Sequence, residues 1–247
     1  MMEDFGMRCS KCRNDAIISQ RYSGQSLCRD HFIRDLEGKA KREIRRNHWL
    51  ASGDLIGVPL DGRAASAALL TLLARITGKR RDIGLYALSR DDGDPEAEKR
   101  IEEIAAAAGV SVLVWKRDPT KQVREDLAAF ASGAGITTIA CGKTLDDGAE
   151  AVLKAFVSGE IQSLLSGSAP ETIRWIYPFE VVPAEEVRLY ASLWHDNVPA
   201  VDPDGNDELS LKIRDLQQAY TARHPSTRHA VFRLGRRIRF SAPDTKQ

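Results

Sequence analysis

Cysteine is scarce in this chain, four among 247 residues, which excludes a scaffold built on disulfides. Aromatic residues make up only 6%. No apolar run reaches the roughly 18 residues that a membrane-spanning helix needs; the longest, Ala64 to Ile76, is broken by Ser66, Thr71 and Arg75. Glu3 and Asp4 stand where a secretory leader would be apolar, so the chain is expected to be cytoplasmic, with no membrane partner. A hydrolase elbow, a dinucleotide Gly-x-Gly-x-x-Gly and an intact Walker loop are all missing, which removes the signatures of several large enzyme classes. What is present, 43% hydrophobic and 29% charged residues, suits a globular chain with a sizeable core and a small appendage.

A net charge of +1 conceals a strong asymmetry. Residues 1–50 carry 11 Lys and Arg against 7 Asp and Glu, and residues 212–247 carry 9 against 2, so the stretch between them is markedly acidic. Basic ends on an acidic middle point to nucleic acid, because Lys and Arg that neutralise phosphates release counterions; solvated basic tails would look the same. The candidates are Lys41, Arg42, Arg45 and Arg46 in the first block and Arg228, Arg233, Arg236, Arg237 and Arg239 in the second. Arg favours bidentate phosphate contacts and stacks on unpaired bases.

Cys9-Ser-Lys-Cys12 is followed, after fifteen residues, by Cys28-Arg-Asp-His31. Two residues inside each pair let both side chains converge on one ion, and three sulfurs with one imidazole complete a tetrahedral shell that suits zinc. Ordinary buried cysteines, or a redox pair formed by Cys9 and Cys12, are the alternatives. With four protein ligands the site is expected to be closed and structural, and so short a segment would depend on its metal to fold. A basic, helix-compatible stretch follows from Phe32 to Leu50, either a plain connecting helix or a phosphate-contacting one.

From Asp54 onward strands alternate with helices. Strands are predicted at Asp54–Leu60, Asp82–Ser89, Ser111–Trp115 and Ile136–Cys141. Helices are predicted at Ala64–Thr77, from Asp94-Pro95 to Ala108, at Thr120–Ser132 and at Leu145–Val157. This alternation implies βαβ crossovers and an α/β fold, a mostly parallel sheet with helices on both faces. Ligands in such folds bind beyond the carboxyl ends of the strands, here just after Leu60, Ser89, Trp115 and Cys141. Asn197 to Asp207 reads as a turn-rich linker, and Leu209–Thr221 as a helix with the basic tail behind it. The expected division is a zinc-knuckle module over 1–35, a basic linker helix over 36–50, an α/β domain over 51–196 and a C-terminal part over 197–247. His48 and His195 are expected to be structural.

Those strand ends carry a family likeness. Leu60-Asp-Gly-Arg-Ala-Ala-Ser-Ala-Ala-Leu-Leu-Thr-Leu-Leu73 resembles the opening Leu-Ser-Gly-Gly-Lys-Asp-Ser and helix of the PP-loop ATP-pyrophosphatases. Cys141-Gly-Lys-Thr-Leu-Asp-Asp-Gly-Ala-Glu-Ala-Val-Leu153 is similar to their Thr-Gly-His-Asn-Leu-Asp-Asp-Glu-Ala signature. Ile173-Arg-Trp-Ile-Tyr-Pro-Phe179, Pro183–Tyr190 and His224-Pro-Ser-Thr227 resemble later elements of the family. With the N-terminal knuckle, the resemblance is to the tRNA 2-thiolation branch, of the TtcA/TtuA and cytosolic thiouridylase type. It implies a PP-loop fold, tRNA as partner, and an ATP site at Gly62, Arg63, Ser66, Asp146 and Asp147.

The departures qualify that site. Asp61 replaces the first Ser of the loop, Arg63 the second Gly, and Ala64 and Ala65 the Lys-Asp pair. A carboxylate facing phosphate repels it, and a bulky side chain enters a turn that works through bare backbone amides. Active relatives carry core cysteines, but Lys116 to Ala140 contains none and Cys141 stands alone. The expected cofactor set is therefore structural zinc, with ATP and magnesium in doubt and an iron–sulfur cluster ruled against. Asp146 and Asp147 would either coordinate metal and phosphate or cap a helix. The expected function is tRNA binding, or service as the non-catalytic partner of an active thiolation paralogue or of a second copy. The alternative is an ATP-dependent, tRNA-adenylating sulfurtransferase with a divergent loop and an external sulfur donor.

Overall fold

The computed structural model describes residues 7–162, 173–196 and 208–241; the linker expected at Asn197 to Asp207 lies outside them. A hairpin of β1 (Ile18–Gln20) and β2 (Gln25–Leu27) precedes α1 (Arg29–Arg46). The α/β part runs β3 (Leu55–Leu60), α2 (Ala64–Thr77), β4 (Gly84–Asp91), α3 (Pro95–Ala108), β5 (Ser111–Lys116), α4 (Val123–Gly133), β6 (Thr138–Ala140) and α5 (Leu145–Val157). It continues through β7 (Arg174–Ile176) and α6 (Ala184–Ser192) to α7 (Glu208–Arg223) and α8 (Thr227–Ser241). No described helix is long and apolar enough to cross a membrane.

Five strands form one parallel sheet in the order β5-β4-β3-β6-β7. The chain winds outward from β3 to one side and then returns to β6 on the other. A crevice therefore opens between the carboxyl ends of β3 and β6, where folds of this kind bind ligands. The expected α/β architecture is what forms. Local signals set several boundaries as anticipated: Asp94 caps α3 through the amides of Glu96 and Ala97, Pro95 follows, and Gly109 ends the helix at φ 67°. The start of α4 is later than expected because Asp118 accepts the Thr120 amide in a tight turn, a competing local bond that delays the helix.

Burial explains the composition of α2. Its Ala and Leu residues are enclosed from Ala64 to Leu73, because the helix lies between the sheet and α6 and offers no wet face. The N-terminal segment is not walled off from this core. Leu27, Phe32, Leu36 and Ala40 are fully buried in the same cluster as Ile56, Leu69 and Tyr190. α1 itself runs unbroken across the division expected after residue 35.

The C-terminal basic segment differs most from expectation. It is a helix, α8, packed on α5, and not a tail. Two glycines permit the contact: a Cβ at Gly148 would meet Phe232 at 2.6 Å, and one at Gly235 would meet Val152 at 2.2 Å. Each glycine thus receives the large side chain of the opposite helix. Arg-rich composition concealed this seam, which rests on few apolar residues.

Candidate functional site

Three features carry chemistry. The first is the knuckle. Cys28 is the residue before α1 and His31 lies in its first turn, a spacing that puts both on one side of the helix. Cys9 and Cys12 come from the preceding turn. The Nδ1 of His31 lies 3.5 Å from Cys9 Sγ and 3.3 Å from Cys28 Sγ, and Cys12 Sγ lies 3.6 Å from Cys28 Sγ. All four ligand atoms fall within 4.8 Å of one another, so one ion can touch all four, and the arrangement is consistent with a zinc knuckle. Burial opposes ionisation of Cys9, but the amides of Cys28 and Lys11 outweigh it and bring the thiol down to about 6. Such a thiol is ready to ligate near neutral pH. Nearby, Lys39 Nζ donates to Tyr22 Oη and to Glu186, 2.9 Å, while the Tyr22 hydroxyl donates to Glu186, 2.6 Å. This network, unforeseen from sequence, ties the hairpin to α6.

The second feature is the turn after β3. Gly62 takes φ +78°, the left-handed conformation a phosphate loop also demands. The groups around it are already engaged. Asp61 Oδ1 accepts the Arg63 backbone amide at 3.1 Å, and Asp61 Oδ2 accepts from Arg63 Nε at 2.6 Å. The Ser66 hydroxyl donates to Arg63 O. Ala64 and Ala65 are buried, and Gly142 presses so closely that a Cβ there would sit 2.7 Å from the Ala65 carbonyl. A cavity of about 540 Å³ lies beyond the turn, walled by Leu60, Ile101, Trp115, Leu127 and Cys141. Four carboxylates line it, Asp61, Asp92, Asp94 and Glu98, against Arg63, Arg90 and Arg100. Burial pushes the Cys141 thiol up to about 11, so at neutral pH it is a protonated, weak nucleophile.

Asp146 and Asp147 stand apart from that cavity's walls. Asp147 forms a capping box with Thr144 at the start of α5. Asp146 Oδ2 accepts the Ala184 amide at 2.7 Å, and its Oδ1 pairs with Arg228 at 2.6 Å. Each carboxylate thus contacts the start of a helix, and Asp146 also holds Arg228. His195 Nε2 lies 2.8 Å from the Thr71 hydroxyl, and Arg174 bonds Trp49 O and Asp54 at the opposite, amino end of the sheet.

The third feature joins the two basic blocks. A cleft of about 720 Å³ is lined by Arg46 of α1 and by Arg233, Arg236 and Arg237 of α8, over Leu145, Val181 and Phe232. Arg42 and Arg45 are exposed on α1, and Arg239 on α8. Two other arginines turn inward: Arg228 is paired as above, and Arg236 contacts Glu43 at 2.7 Å and Glu180 at 3.6 Å, while the more exposed Lys41 bonds Glu37. The acidic partners Glu43 and Glu180 were not legible, because they lie far from α8 in sequence.

Comparison with known proteins bears on the N-terminal segment and on the fold. Residues 8–33 match the N-terminal LIM domain of the 2-thiouridine synthetase TtuA. The tRNA 2-thiolation protein NcsA of Haloferax volcanii is 28% identical over 91% of this chain and 84% of its own. The tRNA-5-methyluridine(54) 2-sulfurtransferase of Thermus thermophilus is 33% identical over 44% of this chain and 33% of its own. Among solved structures, the U34-tRNA thiolase NcsA from Methanococcus maripaludis superposes with a TM-score of 0.84 at 19% identity, covering 97% of this chain and 89% of that one. That structure includes a 4Fe–4S cluster. The last finding corrects the cofactor expectation: zinc to the exclusion of an iron–sulfur cluster does not stand, because a chain of this fold carries one. Thiolates and imidazole ligate both kinds of centre, so the Cys/His group could hold a metal such as a cluster, and spacing alone did not discriminate.

Proposed function

We propose, of a chain that belongs to the tRNA 2-thiolation branch of the PP-loop superfamily, that it binds tRNA without activating it with ATP. The observation that carries this reading is the Asp61–Arg63 pair. Where a phosphate would take the loop amides at the start of α2, the Asp61 carboxylate already takes that of Arg63. A triphosphate would have to displace one anion and enter a cavity where Asp92, Asp94 and Glu98 stand against Arg63, Arg90 and Arg100. Gly62, Arg63, Ser66, Asp146 and Asp147 are then a vestigial nucleotide site.

The sulfur step lacks support as well. Cys141 is the single cysteine at the cavity, and its thiol is held in the protonated form. The Cys9, Cys12, Cys28 and His31 group would hold a metal centre that keeps the hairpin folded on the core. Among the basic residues, Arg42, Arg45, Arg46, Arg233, Arg237 and Arg239 remain on the outside of α1 and α8 as phosphate contacts. Lys41, Arg228 and Arg236 act mainly through their acidic partners.

One observation favours the alternative, a divergent ATP-dependent sulfurtransferase: the cavity beside Gly62 retains about 540 Å³. Calorimetric titration of the purified protein with ATP and magnesium, followed by addition of tRNA, separates the two. The expected result is retention of tRNA without micromolar ATP binding. Micromolar ATP binding with AMP release on adding tRNA would overturn the proposal.

A further inference from the structure

The two cavities at the carboxyl edge of the sheet differ in charge balance, one mixed and the other basic. Cys141 borders the mixed-charge cavity by the β3 turn, and Leu145, at the other end of the same loop, borders the cleft between α1 and α8. No carboxylate lines that cleft, whereas four arginines do. Its floor is apolar. Phe232 is 7% exposed, seated on Gly148, with Leu145 and Val181 beside it. At one end lie the rings of Tyr22 and His229, tilted at 36° to each other with centroids 4.5 Å apart. A second hollow of about 440 Å³ shares that same pair and extends along the hairpin past Arg21, Arg228 and Gln218, with Glu185 as its one carboxylate. The two hollows meet at that pair, and together they mark a groove between the hairpin and α8.

We infer that this groove seats a single-stranded segment of RNA, with one unpaired base lodged in the hollow over Phe232 and adjoining phosphates on Arg46 and Arg233. The inference rests on the tRNA-binding reading and says where and in which form the RNA is held. The chemistry selects the occupant. A polyacidic peptide would use the arginines but would leave the apolar floor of Leu145, Val181 and Phe232 uncovered. A duplex presents phosphates but keeps its bases stacked inside, so the hollow would stay empty. A nucleic-acid strand with a splayed base offers a flat apolar face and regularly spaced negative charge on both sides of it, which matches an apolar floor with arginines along the rim. Arginine at the rim fits phosphate geometry and can stack on a base. His229 suits a floor position because burial, with Lys39 and Arg233 nearby, brings its imidazole down to about 4 and keeps it neutral.

Fluorescence anisotropy with the full chain tests this, using a labelled, unstructured RNA of about a dozen nucleotides and the same strand annealed to its complement. Three variants are compared at matched thermal stability: R46E, R233E and S226W. Ser226 is exposed at the groove, so a tryptophan there fills the hollow without entering the core. The expected result is tighter binding of the single strand than of the duplex. Each variant should weaken the single strand at least tenfold, and each charge reversal should lower the salt slope by roughly 0.7 or more. Equal affinity for single strand and duplex, or indifference to S226W, would overturn the groove assignment while leaving tRNA binding in place. Binding of a polyglutamate peptide with the same dependence on Arg46 and Arg233 and on an open hollow would assign the groove to an acidic partner instead. No binding of RNA by the unmodified chain would remove the tRNA reading itself.

Discussion

Arg236 Nη1 lies 2.7 Å from Glu43 Oε1, joining α8 to α1 across 193 residues of sequence. The same nitrogen lies 3.6 Å from Glu180. One guanidinium therefore serves two carboxylates, and none of the three side chains is more than 16% exposed. The contact makes the C-terminal helix part of the folded body, and it gives the densest cluster of arginines in the chain two distinct jobs.

Removing the central cation strands two buried carboxylates. Arg236→Met is expected to destabilise the protein by about 3–5 kcal/mol, the usual cost of breaking a buried pair from one side. Arg239→Gln, on the exposed side of the same helix, is expected to change stability by less than about 0.5 kcal/mol. Urea unfolding followed by circular dichroism measures both. Equal, small effects would show that Arg236 is merely a surface charge.

Glu180 supplies a pH dependence. Burial, with the Glu43 carboxylate nearby and Arg236 opposing, raises it to about 7. Its folded value exceeds its ordinary one, so its favourable contribution is complete below about pH 4.5 and is lost as the pH rises through about 7. Glu43 behaves oppositely: Asn47 and Arg236 hold it below its ordinary value against its burial, and its contribution is lost on acidification. Glu180→Gln should therefore gain stability relative to the parent between pH 5 and pH 8, on the order of 2 kcal/mol at about 1.4 per pKa unit. An unchanged difference between the two pH values would rule out this titration.

How much of this was readable in the sequence depends on the range of the signal. α2, α3 and α5 have their expected bounds because Asp94, Gly109, Thr144 and the apolar spacing act within a few residues. The knuckle was legible for the same reason: four ligands at short spacings. What escaped is long-range. Nothing near Arg236 announces Glu43, nothing near Tyr22 announces Glu186, and the seam between Gly148 and Phe232 exists only once α5 and α8 cross. The kind of metal centre that the Cys/His group could hold escaped for a chemical reason, since the same donor atoms serve an ion or a cluster.

The knuckle is expected to be metal-dependent. Cys28→Ala removes a ligand that sits between Cys12 and His31, and the variant should lose the metal that the parent retains, measured for zinc and iron together by mass spectrometry. The hairpin should become cleavable by trypsin at Arg13 and Arg21. Because Leu27 and Phe32 share the main core, the α/β part should stay folded but melt at a lower temperature. A variant holding as much metal as the parent would exclude Cys28 from the ligand set.

The β3 turn offers the sharpest test of why triphosphate binding would fail. Two explanations compete: the Asp61–Arg63 pair occupies the anion position, or the buried Ala64 and Ala65 leave too little to hold a nucleotide. Asp61→Ser with Arg63→Gly removes the resident carboxylate, frees the amide at position 63 and leaves both alanines in place. If the pair is the obstacle, the double variant regains an amide donor for phosphate, worth about 1.5–3 kcal/mol for a bond to a charged group. That corresponds to roughly a tenfold to hundredfold gain in affinity for ATP with magnesium, readable by calorimetry. Arg63→Gly alone should gain far less, because Asp61 still repels the phosphates and still has the loop amide within reach. A double variant that binds ATP no better than the parent would transfer the cause to Ala64 and Ala65.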